Sequence, residues 1–297
     1  MSRYICVDIG GTSIKHGVLD ENAIIEESNQ TKTEAWLGGA EVLDKVKAIG
    51  KQYMEQYENI EGICISTAGM VDPEEGKIVF AGELMPDYTG TCIKKELEKT
   101  LGIPCEVEND VNCAGLAEYI SGAAKESHIM FCATVGTGIG GCAIVDGSVF
   151  HGASNSACEI GYIPMEDSDF QTLGASSILI KKVAGKKREP LDMWDGKKIF
   201  ELAEKGDKVC ISAIKEMCDV LGKGLATICY VLNPDTIVLG GGIMVQKKIL
   251  ENEIRDSLNR YLRPILAEHL QVCFAEYGNE AGMVGALYNF QNKYGRK

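Results

Sequence analysis

Tyr4-Ile5-Cys6-Val7-Asp8-Ile9-Gly10-Gly11-Thr12 opens the chain, and its reading decides the fold. Tyr4–Ile9 is an apolar run of strand length with one acid near its end. Gly10-Gly11-Thr12 turns it, and Ser13–Leu19 reads as a returning strand. Glycines lack Cβ, so the backbone N–H groups of such a turn can approach an anion closely. The Thr12 hydroxyl adds a donor, and Asp8 could hold Mg²⁺, directly or through water. Taken alone, the segment also fits a plain hairpin turn beside a solvated acid.

The same pattern returns further along. Ile129–Val135 reads as a strand, followed by Gly136-Thr137-Gly138-Ile139-Gly140-Gly141 and a second strand, Cys142–Val145. The glycines match G-x-G-x-x-G, but the dinucleotide fingerprint must open a helix, and here a strand follows. A phosphate-cradling hairpin fits better. The sequence holds no G-x-x-x-x-G-K-[ST]. A third glycine run, Gly240-Gly241-Gly242-Ile243, follows the apolar strand Thr236–Leu239 and precedes a helix near 246–262. It allows close approach to a flat ligand such as adenine, or simply tight strand-to-helix packing. Helical spacing is read at 39–57, 93–101, 111–120, 176–184, 197–204, 208–232 and 280–291, and further strands at 60–66, 105–108 and 271–275. Two blocks, each opening with strand, glycine turn and strand, predict two α/β domains with a cleft between them. The expected division is 1–115 plus a closing segment 280–297, against 116–279.

Glu108-Asn109-Asp110 lies between a predicted strand and helix. Asn109 can cap that helix. Asp110 sits at its start, where the positive end of the dipole favours the ionised form. A hydroxyl attacking phosphorus needs a carboxylate to accept its proton, and Asn109 offers a donor and an acceptor to other hydroxyls. A helix cap and nothing more is the simpler account. Glu159-Ile160-Gly161-Tyr162 follows the small-residue loop Gly152–Ala157 and pairs a carboxylate with a phenol, although such a segment is often just a solvated loop.

Composition narrows the classes. The chain has 297 residues, a net charge of −13 and 12 cysteines, with no CxxC. Scattered cysteines in apolar runs read as free thiols in a reducing cytosol. An acidic surface disfavours nucleic acid, and Lys181, Lys182, Lys186, Lys187 and Arg188 look like a solvated helix end. The longest apolar runs are far too short to span a membrane. The N-terminus lacks a secretory signal, so a cytoplasmic protein is expected.

Together these pieces resemble the ROK family of sugar kinases and regulators, within the α/β, two-domain actin-like ATPase (ribonuclease H-like) fold with an interdomain cleft. Asp8–Thr12 resembles the first phosphate motif, Gly136–Gly141 the second and Leu239–Ile243 the adenosine motif. Glu108–Ala114 is similar to the catalytic segment and Glu280–Ala286 to the closing helix. The resemblance implies ATP-dependent phosphorylation of a sugar hydroxyl. Asp110 would be the general base, with Asn109, Asp110, Glu159, Tyr162 and Thr172 at the sugar. Asp8, Gly10, Gly11, Thr12, Lys15, Gly136, Thr137, Gly138, Gly140, Gly241 and Gly242 would hold ATP, with Asp8 helping to place Mg²⁺. A homodimer is implied.

Two departures stand out. Many members carry a histidine after Glu-x-Gly and a nearby cysteine cluster that binds zinc. Here the position is Tyr162, and no cysteine occurs between Cys158 and Cys210. The tetrahedral ligand set is missing, so no zinc is expected. Thr172 aligns where a glutamate normally contacts hydroxyls near the anomeric carbon. Both changes resemble the β-glucoside kinases, which phosphorylate the 6-hydroxyl of the non-reducing glucose. N-acetylmannosamine kinase and glucokinase are the competing assignments. A sugar-responsive repressor is the non-enzyme rival, but it would carry a helix-turn-helix before the first phosphate motif, which here begins at Asp8.

Overall fold

β1 (Arg3–Ile9) and β2 (Ser13–Asp20) form the expected hairpin, and β3 (Ile25–Lys32) adds a further antiparallel strand to it. The computed structural model describes residues 1–295. Arg296 and Lys297, at the end of the expected closing segment, lie outside the described residues. After α1 (Gly39–Gln56) come β4 (Ile60–Thr67), the small hairpin β5 (Met70–Asp72) and β6 (Lys77–Phe80), α2 (Ile93–Leu101), β7 (Cys105–Asn109) and α3 (Asp110–Ile120). The sheet order is β3-β2-β1-β4-β7, with β1, β4 and β7 parallel.

Side chains alternate across this sheet, as the pleat requires. Ile5, Val7 and Ile9 of β1, Ile63 and Ile65 of β4, and Cys105 and Val107 of β7 belong to one core with Val42, Val46, Ile49 and Tyr53 of α1 and Leu97 of α2. Tyr4 points the other way and meets Phe290 of the last helix at 5.4 Å between ring centroids.

The second half repeats the plan. It contains β8 (Ile129–Val135), β9 (Ile139–Val145), β10 (Ser148–Val149), the pair β11 (Pro164–Met165) and β12 (Ser168–Asp169), and α4 (Phe170–Gly174). Then follow α5 (Ser176–Lys187), α6 (Gly196–Glu204), α7 (Lys208–Leu232), β13 (Thr236–Gly240), α8 (Lys247–Tyr261), α9 (Pro264–Ala267), β14 (Gln271–Phe274) and α10 (Ala281–Lys293). The order β10-β9-β8-β13-β14 has the same sequence of antiparallel and parallel neighbours as the first sheet. α7 buries Ala213, Ile214, Met217, Leu221, Leu225 and Ile228, and ends where Asn233 turns left-handed (φ 50°) before Pro234.

The chain divides into two units. One comprises Met1–Ser121, His151–Ala157 and the segment from Asn279; the other comprises Gly122–Phe150 and Cys158–Gly278. The first division therefore falls at Ser121 rather than at 115, because α3 stays whole. The short loop 151–157 groups with the first unit, not with the 116–279 segment. β3, with its polar sequence Ile-Glu-Glu-Ser-Asn-Gln-Thr-Lys, carries no apolar alternation that would announce a strand. β9 begins at Ile139 instead of Cys142, so Gly140 and Gly141 are strand residues and the turn is only Gly136–Gly138.

Candidate active site

Polar residues in register cross the first sheet near the carboxyl ends of its parallel strands, where α/β sheets bind ligands. Lys15 of β2 stands opposite Asp8, Asp8 beside Ser66 of β4, and Ser66 beside Glu108 of β7. Ser66 Oγ donates to Asp8 Oδ1 at 2.7 Å, and Lys15 Nζ lies 3.5 Å from Asp8 Oδ2. Asp8 sits on the sheet face covered by α10, and Gly282 leaves room for it: a Cβ there would be 2.5 Å from the Asp8 carboxyl.

The β1–β2 turn is closed by the Gly10 N–H donating to Ser13 O at 3.0 Å. Thr33, fully buried, clasps it from the end of β3. Its hydroxyl donates to Gly10 O at 2.6 Å and its N–H to Thr12 O at 3.1 Å. A Cβ on Gly11 would meet no atom within 4 Å, so the fold itself leaves open space at that backbone.

Asn109 caps α3 as its sequence position suggests. Its Oδ1 accepts from the N–H groups of Val111 (2.9 Å) and Asn112 (3.1 Å), while Nδ2 donates to Gly69 O (2.9 Å) and Asp110 Oδ1 (3.0 Å). All four of its hydrogen-bonding positions are engaged, so a sugar hydroxyl would have to replace one of these partners. Asp110 opens α3. Burial, followed by the negative charge of Asp8, raises its pKa from 3.8 to about 7; the hydrogen bonds from Val111 and Asn109 only moderate the rise. This corrects the expectation from the helix dipole: desolvation outweighs the helix end. Tyr88 is hydrogen-bonded to Thr67 Oγ1 at 2.8 Å; burial, with a smaller push from the Asp110 charge, raises its pKa.

Glu108 is buried and divides its oxygens. Oε1 accepts from Asn109 N (2.8 Å) and Asn112 Nδ2 (2.9 Å), and Oε2 pairs with His151 Nε2 (2.7 Å).

In the second unit, Gly136 N–H donates to Gly138 O at 2.9 Å to close the β8–β9 turn. The start of α5 holds it from behind: Ser176 Oγ donates to Gly136 O (2.6 Å) and Ser177 Oγ to Thr137 O (2.7 Å). Gly136, like Gly11, faces open space. Gly241 has φ 97°, and a side chain there would strike Val135, so the β13 turn requires glycine; Gly242 faces open space. The Gln171 side chain lies against both Gly138 and Gly161, joining the turn to the segment Glu159–Tyr162. Glu159 is exposed as a residue, yet protein around its carboxyl raises its pKa. Tyr162 is 57% exposed. Thr172, on α4, is exposed, and its N–H donates to the capping Asp169 Oδ1 at 2.7 Å.

A nucleotide-bound Mg²⁺ keeps most of its waters and asks one or two carboxylates of the protein. Asp8, fixed on both oxygens, fits that need. Among the described residues no group of three or more His, Cys, Asp or Glu converges as a metal site would, and no helix is long and apolar enough to cross a membrane.

Sequence reading missed Ser66, Thr33, Gly282 and the His151–Glu108 pair. Ser66-Thr67 at the end of an apolar strand was a signal; the other three meet their partners only through the fold.

Known proteins resemble this chain over nearly its whole length. A β-glucoside kinase of Klebsiella pneumoniae is 31% identical, aligned over 98% of this chain and 97% of its own. The structure of a ROK family glucokinase from Streptomyces griseus in complex with glucose and AMPPNP is 28% identical, with a TM-score of 0.82 and coverage of 97% and 98% of the two chains. A ROK family protein from Streptococcus pneumoniae in complex with sucrose is 28% identical, with a TM-score of 0.85 and coverage of 99% and 100%. Residues 4–293 match the model of the ROK family, and the chain belongs to that family as a sugar kinase with the two-domain actin-like ATPase fold.

Proposed function

We propose that this ROK-family sugar kinase moves the γ-phosphoryl group of ATP to the 6-hydroxyl of a hexose or of the non-reducing glucose in a β-glucoside, with Asp110 as general base. As the hydroxyl oxygen bonds to the γ-phosphorus, its proton passes to the Asp110 carboxylate and the bond to the β-phosphate oxygen breaks, releasing ADP. The observation that carries this is the placement of the Asp110 carboxyl at the first turn of α3, its Oδ1 held by Asn109 Nδ2 at 3.0 Å and Val111 N–H at 2.9 Å; burial and then Asp8 push its pKa up to about 7, which suits a base.

The remaining roles follow residue by residue. Gly10, Gly11, Thr12 and Lys15 hold one part of the phosphate chain; Gly136, Thr137, Gly138 and Gly140 hold another; Gly241 and Gly242 face the adenosine. Asp8 takes the magnesium, which screens phosphate charge when bound. Asn109 and Glu159 grip sugar hydroxyls. Tyr162 and Thr172, both uncharged and exposed, place little demand on the anomeric end. The likeness to a β-glucoside kinase over nearly the whole chain supports this acceptor.

Coupled ADP release with ATP, Mg²⁺ and a panel of monosaccharides, N-acetyl sugars and β-glucosides tests the proposal. Cellobiose or another β-glucoside is expected to exceed glucose. A clear preference for N-acetylmannosamine replaces the acceptor, one for free glucose keeps the hexose and removes the β-glucoside, and silence with every sugar removes the kinase reading.

A further inference from the structure

We infer that His151 is a positioning residue for Asp110: by pairing with the buried Glu108 it fixes the first turn of α3. The inference rests on the kinase reading, because it concerns the base of that reaction. His151 itself touches none of the reacting groups assigned above.

The path is short and every link is a hydrogen bond. His151 Nε2 meets Glu108 Oε2 at 2.7 Å. The other oxygen of Glu108 receives Asn109 N–H and Asn112 Nδ2 at 2.8 and 2.9 Å. Asn109 in turn caps α3 and donates to Asp110 Oδ1 at 3.0 Å. A rotation of Glu108 would release both asparagine contacts at once. Glu108 is 1% exposed, and a carboxylate at that depth without a cationic partner is strongly unfavourable. His151 supplies the partner. Its own place is set by the loop that begins there, closed by Ala157 N–H donating to His151 O at 3.1 Å.

The charge around His151 comes from three elements: Glu108 on β7, Glu74 in the β5–β6 turn and Lys293 on α10, the last two paired with each other at 2.6 Å. The bond to Glu108 dominates and raises the imidazole pKa above its ordinary 6.5. The sign follows. The imidazolium–carboxylate pair is fully formed below the ordinary histidine value and is lost as pH rises through the raised one. Asp110 works in the opposite direction, becoming a base only as pH rises through about 7. The two titrations therefore act on activity with opposite signs.

The test is kcat/KM against pH for the wild type, His151→Ala and His151→Gln, with an NMR titration of the His151 imidazole in the wild type and in Glu108→Gln. His151→Ala is expected to lose activity mainly in kcat, by roughly 10²-fold as for a displaced catalytic group. His151→Gln, which keeps a neutral donor toward Glu108, is expected to recover part of it and to lose the alkaline limb while keeping the acid limb. The imidazole is expected to titrate above 6.5 in the wild type and to fall in Glu108→Gln. Wild-type profiles in both histidine variants overturn the inference, as does a loss in His151→Ala that leaves the alkaline limb in place. An imidazole titration that ignores Glu108→Gln overturns it without reference to activity. Absence of ADP release from the wild type with every sugar removes the kinase reading instead, and the NMR result then judges the pairing alone.

Discussion

The Asp8 carboxylate occupies the space in which a side chain on Gly282 would begin: a Cβ at 282 would lie 2.5 Å from Asp8 Oδ1. The two residues are far apart in the chain, and α10 brings them together by packing on β1 and β4. Asp8 cannot retreat, because Ser66 and Lys15 hold its two oxygens. Gly282→Ala is therefore expected to push Asp8 off these partners and to lower kcat/KM for ATP by about 10²-fold. Steady-state kinetics with varied ATP and Mg²⁺ measure it. An unaltered kcat/KM in a folded variant would show that the position of Asp8 is immaterial.

Asp110→Asn is expected to lower kcat by roughly 10²- to 10⁴-fold, the range for removal of a general base. In the wild type, activity should fall as pH drops below about 7, where Asp110 takes up its proton. The stability effect runs the other way. A carboxyl whose folded pKa is raised from 3.8 to about 7 favours the folded state at low pH, and that contribution is lost as pH rises through the folded value. Asp110→Asn, which is never charged, should thus have a higher Tm than the wild type above pH 7, with the gap closing toward pH 4. Thermal melts at several pH values check this; a lower Tm at alkaline pH would contradict the burial of the ionised carboxyl.

What the sequence disclosed was local. The apolar run ending in Asp8, the glycines that turn it and the Asn109 cap all act within a few residues, so periodicity and residue type expose them. The upward shift of the Asp110 pKa is not legible in the sequence for the same reason. The helix dipole is visible in the sequence, whereas the opposing burial and the neighbouring Asp8 exist only after β1 and β7 share a sheet. Thr33 reaches Gly10 across 23 positions and His151 reaches Glu108 across 43. No spacing rule links such pairs. The strand that delivers Thr33 has a polar sequence and carries no apolar alternation of its own.

Thr33→Val removes the hydroxyl that donates to Gly10 O at 2.6 Å and keeps the shape of the side chain. The Gly10 carbonyl then loses a buried partner, at a cost of about 1–3 kcal/mol. The expected result is a lower Tm together with a raised KM for ATP and little change in KM for the sugar, because the turn that loosens is the one assigned to the phosphates. A variant whose sugar KM rises while its ATP KM holds would reassign the β1–β2 turn.

The acceptor is set, on this reading, by what the second unit does not present. Tyr162 and Thr172 are both exposed and uncharged, so neither side chain offers a carboxylate to an anomeric hydroxyl. Thr172→Glu restores a charged acceptor for free anomeric hydroxyls. It is expected to raise the ratio of kcat/KM for glucose over cellobiose by about tenfold, since a group built to bond a hydroxyl discriminates against a partner lacking it. The substitution is on the surface of α4, where Thr172 contributes only its N–H to the Asp169 cap, so the fold should tolerate it. Elemental analysis of the same preparations should find no stoichiometric zinc, because Tyr162 offers no imidazole and no cysteine follows it before Cys210. A glucose-to-cellobiose ratio that does not move would place the selection of the anomeric end elsewhere, and one zinc per chain would overturn the reading of Tyr162.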